Sequence, residues 1–260
     1  MTDVTLRFYL LTPTREPKLN NPDEVHEANR GLKVGKAPGP NDIPKRALEH
    51  LPQRAVSLLV RIFNVVLCTQ HFPAVWKHAR VISILKPGKH TALPSSYRPI
   101  SLLETIIKVF EKMLLTRILN EVSERALKRD DLFGFRPRRN TSLQLARLIE
   151  RITRKFGEKR ITAAAFLDVA KAFDTVWIDG LSKLTIRTFP SYLVHTISLY
   201  LWGRTFEASF QTATSSHRAM RPGVAQGGLI SFVLFSLYVD DVPTTSHHVE
   251  LPSTWTTRSS

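Results

Sequence analysis

The sequence predicts a mixed α+β fold in which helices and antiparallel strands are interleaved, and three observations support it. The 260-residue chain is 43% hydrophobic, which suits one large domain or two smaller ones and excludes general disorder. Several stretches carry apolar residues at helical spacing, whereas others are short apolar runs next to glycine and proline. These two kinds of segment follow one another along the chain, which is typical of α+β proteins.

The first half of the chain is predicted to hold two helices and two extended segments. Residues 1–30 are polar and predict a linker or lead-in, and the glycines and prolines of residues 31–44 predict a loop. Helical spacing predicts helices over residues 54–67 and 103–122. In the first segment the apolar residues at this spacing are Leu58, Leu59, Ile62, Val65 and Val66. In the second they are Ile106, Phe110, Met113, Leu114, Ile118 and Val122. Extended segments are predicted at 79–85 and 97–100, with a turn at residues 86–89.

The second half continues the alternation. Asn140 or Thr141 is predicted to cap a helix that runs to about Phe156. The remaining predicted elements are a buried strand at 161–169, short helices at 179–188 and 190–202, a strand pair at 205–210 and 217–220, and a buried helix at 229–239.

Composition excludes several classes of protein. A single cysteine, Cys68, rules out a disulfide framework and a cysteine-based zinc site. No apolar stretch approaches the roughly 20 residues of a membrane span, and the first 18 residues lack the order of a signal peptide. We therefore expect an intracellular protein in a reducing compartment, without a membrane partner.

Positive charge is concentrated in the first part of the chain. The net charge of +15 divides into −1 for residues 1–30, +9 for 31–100, +7 for 101–160 and 0 for 161–260. A basic block beside a neutral one indicates a region that binds a polyanion, with nucleic acid as the expected partner. The alternative is a basic surface that serves only solubility.

The stretch from Phe166 to Asp174 carries the first group suited to chemistry. An apolar strand ends at Asp168, and a carboxylate at a strand end is a natural Mg²⁺ ligand. Phe173, five residues later, could lie under the sugar of a bound nucleotide. The alternative is that Asp168 only caps the following helix.

Two further motifs could contact a nucleotide. Residues 223–228 form a glycine-rich turn whose backbone can approach a ligand closely, and Gln226 can hydrogen-bond a base or template strand. Lys86 and Arg98 could grip a triphosphate. Taken alone, the first motif favours an ordinary turn and the second favours solvated charges on a hairpin.

Together these motifs resemble the reverse transcriptase domain of jockey-like non-LTR retrotransposons of arthropods. Six ordered stretches carry the resemblance: residues 36–40 (KAPGP), 83–89 (SILKPGK), 97–101 (YRPIS), 133–137 (FGFRP), 166–174 (FLDVAKAFD) and 223–227 (GVAQG). The resemblance covers roughly residues 30–250. It implies a right-hand polymerase fold with fingers over residues 31–160, a partial palm over 161–251 and no thumb, the reverse transcriptase domain lying at about 70–251.

The resemblance also assigns roles. Asp168, with the backbone carbonyl of Val169, corresponds to a catalytic metal ligand set, which implies Mg²⁺ as cofactor. Phe173 corresponds to the steric gate against ribonucleotides, and the nucleotide contacts correspond to Lys86, Arg98, Gln226 and Gly227. The implied partners are an RNA template, a DNA primer and deoxynucleoside triphosphates. By family, the expected location is the cytoplasm and nucleus.

Three departures from the family pattern stand out. Asp42 replaces a usual glycine, Phe232 replaces a usual proline, and the segment around Leu181 looks one residue short. Such scatter suits an element copy that is no longer under selection.

The second catalytic carboxylate of the family is missing from its expected place. Tyr238-Val239-Asp240-Asp241 looks like the family's Tyr-x-Asp-Asp turn, but only eleven residues separate Gly228 from Asp240. A buried helix must occupy those residues, which leaves no room for the strand that precedes such a turn. We therefore predict that Asp240 and Asp241 are a decoy and not catalytic.

A shift of reading frame accounts for the end of the chain. Reading from the third codon base of Leu251 permits Ala-Leu-Tyr-Val-Asp-Asp-Thr, and its first aspartate is forced by Trp255 and Thr256. Residues 252–260 are therefore predicted to be an out-of-frame tail, although coincidence remains the alternative.

The sequence thus predicts an RNA-directed DNA polymerase of a mobile element, present here as an inactive fragment. A catalytically dead nucleic-acid-binding remnant or scaffold is the alternative. An RNA-dependent RNA polymerase is disfavoured by the bulk of Phe173, since such enzymes need room for a 2′-hydroxyl.

Overall fold

A computed structural model describes residues 16–124, 141–162, 172–210, 213–220 and 223–240. The described residues form eight α-helices and five strands. The helices are α1 (Pro22–Arg30), α2 (Lys45–Glu49), α3 (Gln53–Thr69), α4 (Thr105–Glu124), α5 (Thr141–Gly157), α6 (Ile178–Thr188), α7 (Ser191–Leu201) and α8 (Ser231–Asp240). The strands are β1 (His78–Leu85), β2 (Tyr97–Leu102), β3 (Thr205–Phe210), β4 (Ala213–Thr214) and β5 (Arg218–Ala219).

One mixed sheet joins distant parts of the chain. Strand β1 pairs antiparallel with β2 and parallel with β3, so segments more than 100 residues apart in sequence lie side by side. Strand β3 also pairs antiparallel with β4 and β5. The predicted strand pair of 205–210 with 217–220 is confirmed by the register of Thr205 opposite Ala219.

The hydrophobic core surrounds helix α4. Its side chains are buried almost all round, including Phe110, Leu114 and Ile118 at 1% exposure or less. The Phe110 ring lies 5.2 Å from that of Phe63 on α3 and 5.8 Å from that of Trp76. Helix α7 is apolar and buried on most faces, and it joins the same core through residues such as Leu193 and Ile197.

The prediction of a linker over residues 1–30 is wrong for residues 22–30. Asn21 caps α1 by accepting a hydrogen bond from the Glu24 backbone, and the Glu24 side chain accepts one from the Asn21 backbone. Pro22 begins the helix, where its missing N–H costs nothing. Helix α1 is only nine residues long and mostly polar, yet Val25 and Ala28 are buried in the core.

The helix predicted over residues 54–67 is confirmed as α3, but of the five residues whose spacing predicted it only Val66 is fully buried. Leu58 and Val65 are 57% and 56% exposed. The buried residues of α3 are Val56, Val60, Phe63, Val66 and Leu67. This helix is apolar on two faces, so spacing alone could not select the one that packs.

The other predicted helices and strands are found within a few residues of their predicted bounds wherever the structure describes them. The strand predicted at 161–169 falls largely outside the described residues. The division into fingers and palm likewise remains a prediction. Among the described residues no helix is long and apolar enough to cross a membrane.

Candidate functional site

The loop of residues 223–229, here called the glycine junction, contacts the turn that follows the Asp168 motif. The Val224 N–H donates a hydrogen bond to the Phe173 carbonyl oxygen at 2.9 Å. Gly223 has φ +136°, and a Cβ there would lie 2.9 Å from the same carbonyl. Only glycine accepts both this backbone angle and this approach, which is why the motif begins with Gly223.

The other side of the glycine junction contacts strand β2. The Ser101 N–H donates to the Gln226 carbonyl oxygen at 2.7 Å. Gly227 has φ +123°, and a Cβ on it would lie 2.5 Å from the Ser101 carbonyl oxygen. The structure therefore brings three separated motifs together, at residues 97–101, 172–174 and 223–227.

A buried carboxylate lies beneath the glycine junction. Glu111, at 0% exposure on α4, accepts hydrogen bonds from the Tyr200 hydroxyl and, at 3.0 Å, from the Leu229 N–H. Gly228 is so close that a Cβ would lie 3.0 Å from Oε1 of Glu111. This one side chain ties α4, α7 and the end of the glycine junction together.

The electrostatics of this carboxylate are set by burial. Burial raises the pKa of Glu111, and the hydrogen bonds from Leu229 and Tyr200 oppose that shift without cancelling it. Burial and the neighbouring Glu111 also raise the pKa of Tyr200. The Arg204 guanidinium lies over the Tyr200 ring, with Cζ 4.8 Å from its centroid. Glu111 thus favours its neutral form more than an exposed glutamate does.

The predicted triphosphate contacts lie at the opposite end of β1 and β2. Lys86 follows β1 and donates from Nζ to the Ser95 carbonyl at 2.8 Å, whereas Arg98 lies on β2 opposite Ile84. Gly88 has φ +70°, as this tight turn requires. We call residues 86–98 the basic hairpin. Arg98 is three strand positions from Ser101, or about 10 Å from the glycine junction.

A second loop, at residues 36–42, packs against the start of α4. A Cβ on Gly39 would lie 2.4 Å from the Glu104 nitrogen, and Lys108 donates from Nζ to the Ala37 carbonyl at 2.9 Å. Asp42 has φ +54°, a backbone angle that favours glycine. Its carboxylate pairs with the Arg80 guanidinium at 3.0 Å.

Phe173 is 9% exposed and packs on helix α8. Its ring centroid lies 5.3 Å from that of Phe232 and 5.1 Å from that of Phe235. Phe232, the departure from the family's proline, thus fills space beside the residue predicted to be the gate. Whether Phe173 also meets a sugar stays a prediction.

The family model described as "Reverse transcriptase (RNA-dependent DNA polymerase)" matches residues 84–251. This chain belongs to the reverse transcriptase family. The matched region includes β2, the glycine junction and Phe173, so the contacts of the glycine junction with β2 and with Phe173 lie within the reverse transcriptase domain.

Three of the relatives come from mobile elements of Drosophila melanogaster. The chain is 37% identical over 221 residues to "Probable RNA-directed DNA polymerase from transposon BS". It is 36% identical over 222 residues to that of transposon X-element, and 36% over 224 residues to "RNA-directed DNA polymerase from mobile element jockey". Each match covers 85% of this chain but 24% of the relative. The predicted resemblance to jockey-like elements is confirmed.

The residues predicted to hold Mg²⁺, Asp168 and the carbonyl of Val169, lie outside the described residues, as does Asp241. A carboxylate and a carbonyl are oxygen donors of the kind that Mg²⁺ takes, so the chemistry of the donors fits this ion. The helix predicted over 229–239 is confirmed as α8, which includes the backbone of Tyr238, Val239 and Asp240. The roles assigned to the aspartates remain predictions.

Sequence reasoning missed Glu111, and a signal for it was present. The residue lies between Phe110 and Met113, both predicted to be on the apolar face of its helix. A lone charge inside a predicted core face requires a buried partner. The partners, Tyr200 and Leu229, are 89 and 118 residues away, so only the fold reveals them.

Proposed function

We propose that this chain is the fingers and part of the palm of an RNA-directed DNA polymerase from a mobile element. The observation that carries the proposal is the glycine junction, which holds the turn at Phe173 on one side and strand β2 on the other. A nucleotide held there would meet the end of the Asp168 motif, Gln226 and the strand that bears Arg98.

In the proposed reaction a primer 3′-hydroxyl attacks the α-phosphate of a deoxynucleoside triphosphate. Two Mg²⁺ ions would, when bound, stabilise the attacking and leaving oxygens. Asp168 and the Val169 carbonyl would hold metal, and Lys86 and Arg98 would bind the triphosphate. Gln226 and Gly227 would contact the template and nucleotide, while Phe173 would exclude a 2′-hydroxyl.

We propose further that this chain binds its substrates without extending the primer. The Tyr238-Val239-Asp240 segment belongs to helix α8, in contrast to the strand-flanked turn that the family uses. A carboxylate at the C-terminal end of a helix opposes the helix dipole and is best solvated. The decoy assignment of Asp240 and Asp241 rests on this helix, and it leaves the site one carboxylate short.

The proposed boundaries are fingers at 31–160, partial palm at 161–251 and an out-of-frame tail at 252–260. The charge distribution supports them, because residues 31–160 carry the whole positive excess of the chain. The second candidate function, a nucleic-acid-binding remnant without catalysis, needs this basic block but no nucleotide site.

Binding experiments separate the two candidates. The affinity of the chain for a primed RNA template should fall steeply with salt, because Lys and Arg contacts release counterions from phosphates. A matching deoxynucleoside triphosphate should tighten the complex if the nucleotide site is present. An affinity that does not change with salt would contradict binding through the basic surface. If the nucleotide has no effect on the affinity, the chain lacks a nucleotide site, and only the nucleic-acid-binding remnant remains as a candidate.

The proposed gate has its own test. In a longer, frame-restored chain, Phe173→Ala should admit ribonucleotides in primer extension, whereas Phe235→Ala, which removes a ring from the same cluster, should not. Unchanged discrimination by Phe173→Ala would contradict the gate.

A further inference from the structure

Three strands of the sheet present a set of side chains that the polymerase proposal does not use. His78 begins β1, Glu207 lies on β3, and His217 precedes β5. His78 is paired with Thr205, and Glu207 lies two residues after Thr205, so the side chains of His78 and Glu207 share one face of the sheet. Because Phe206 is paired with Arg218, His217 lies opposite Glu207 and its side chain reaches the same face.

The three side chains converge on one carboxylate oxygen. Nε2 of His78 lies 3.6 Å from Oε2 of Glu207, and Nε2 of His217 lies 3.4 Å from the same oxygen. The two imidazole rings are 4.2 Å apart. All three ligand atoms lie within 4.8 Å of one another. In a tetrahedral site with bonds of about 2.0–2.1 Å, ligand atoms are about 3.3–3.4 Å apart.

One tautomer of His78 directs a lone pair at the Glu207 carboxylate. Nδ1 of His78 lies 3.0 Å from the Thr205 hydroxyl, and its Nε2 is buried without a hydrogen-bond partner. When Nδ1 donates to Thr205, Nε2 carries a lone pair that faces the carboxylate. In that tautomer Nε2 of His78 and Oε2 of Glu207 are both hydrogen-bond acceptors, so a cation between them would stabilise the pair. A histidine that binds a metal through one nitrogen commonly donates a hydrogen bond from the other, as Nδ1 would to Thr205.

The carboxylate itself is held in place from its other oxygen. Arg80 donates from Nε to Oε1 of Glu207 at 3.0 Å, which leaves Oε2 directed at the two histidines. Glu207 is only 13% exposed and His78 16%, whereas His217 is 68% exposed and gives solvent access.

We propose that His78, Glu207 and His217 form a Zn²⁺ site, with water as the fourth ligand. Two imidazoles and one carboxylate suit Zn²⁺, whereas Mg²⁺ takes oxygen ligands, so this site is separate from the polymerase metals. The bound ion would fasten β5 to β1 and β3, and thereby join residues 78 and 217 across the sheet.

The test measures Zn²⁺ binding to the metal-free chain by competition with a chromophoric chelator at neutral pH. We expect one Zn²⁺ per chain at this site, unaffected by excess Mg²⁺, and thermal unfolding at a higher temperature with Zn²⁺ than with EDTA. Co²⁺ substituted at the site should give the visible absorption of tetrahedral coordination.

The deciding variant is His217→Ala, because this exposed side chain can be removed without disturbing the core. It should weaken Zn²⁺ binding at least about tenfold and abolish the thermal shift. His71→Ala removes another exposed histidine and should change neither. Equal binding by wild type and His217→Ala, or no stoichiometric Zn²⁺, would overturn the site.

Discussion

Gly88 of the basic hairpin and Gly227 of the glycine junction are both glycines with positive φ, but they lie in opposite surroundings. Both have positive φ, +70° and +123°. A Cβ on Gly88 would meet nothing within 4 Å, whereas one on Gly227 would lie 2.5 Å from the Ser101 carbonyl oxygen. One glycine shapes a solvent-exposed turn, and the other permits contact between two segments of backbone.

The difference indicates that the glycine junction contributes to stability and the basic hairpin to ligand binding. The glycine junction is held by main-chain hydrogen bonds and the buried Glu111, so its substitutions should act first on folding. The basic hairpin presents cations at the surface, so its substitutions should act on ligand binding and leave stability nearly unchanged. Three predictions test this difference, and a fourth concerns the loop of residues 36–42.

The largest effect is expected at the glycine junction. Gly227→Ala places a methyl group against backbone that cannot move aside, and we expect a loss of about 3 kcal/mol or more in the free energy of unfolding. Gly88→Ala is the matched control and should cost about 1–2 kcal/mol, from backbone strain alone. Urea denaturation measures both. Equal losses would show that the contact with Ser101 contributes nothing.

In the basic hairpin the effect should appear in binding. Lys86→Ala and Arg98→Ala should each weaken the nucleotide-bound complex with a primed template about tenfold, or about 1.4 kcal/mol. Each removes one positive charge, so the salt dependence should become shallower. Lys33→Ala makes the same charge change elsewhere on the surface. If it weakens binding equally, the hairpin has no special role. The melting temperatures of all three variants should match the wild type.

Glu111 should make stability depend on pH. Its folded-state pKa is raised by burial above the ordinary 4.5, so the folded chain holds a proton that the unfolded chain releases. The stabilisation is complete below that ordinary value and is lost as pH rises through the folded-state pKa. The loss is about 1.4 kcal/mol for each pH unit that separates the folded-state pKa from the ordinary one. Glu111→Gln should remove this pH dependence.

The measurement is urea denaturation of both proteins at a series of pH values, with the exposed Glu27→Gln as a control for general charge effects. The stability of Glu111→Gln relative to wild type should increase with pH. Parallel profiles for wild type and Glu111→Gln would mean that burial does not govern this carboxylate.

The smallest effect is expected at Asp42. Asp42→Gly relieves a positive φ but removes an exposed ion pair with Arg80, and each contribution is about 1 kcal/mol or less. The two should nearly cancel, whereas Asp42→Ala keeps the strain, loses the pair and should be less stable than Asp42→Gly. Equal stability of the Gly and Ala variants in thermal unfolding would show that the backbone is unstrained there.

Local sequence signals predicted most of the described helices and strands because their determinants are local. The 20-residue helix α4 and the turn of the basic hairpin follow from spacing and turn residues. Helix α1 was missed because its short polar sequence hides two buried positions. The buried face of α3 was not predictable, since the choice between two apolar faces depends on which other elements pack against it.

The candidate site was predictable only as separate motifs. Their order indicated the family, but nothing in residues 97–101 or 223–227 states that Ser101 donates to Gln226. That contact joins residues 125 positions apart in the sequence, so it depends on the tertiary fold. The pair of Phe173 with Phe232 likewise follows from packing, because each residue alone is an ordinary apolar side chain.

Primer extension on a primed RNA template, with binding measured in the same sample, tests most directly whether this chain binds substrate but lacks the second carboxylate. The account predicts a complex whose affinity falls with salt, tightens with the matching nucleotide and adds no nucleotide to the primer. Extension by the chain, abolished by Asp168→Asn and equally by Asp240→Asn, would contradict it, since Asp240 would then be catalytic.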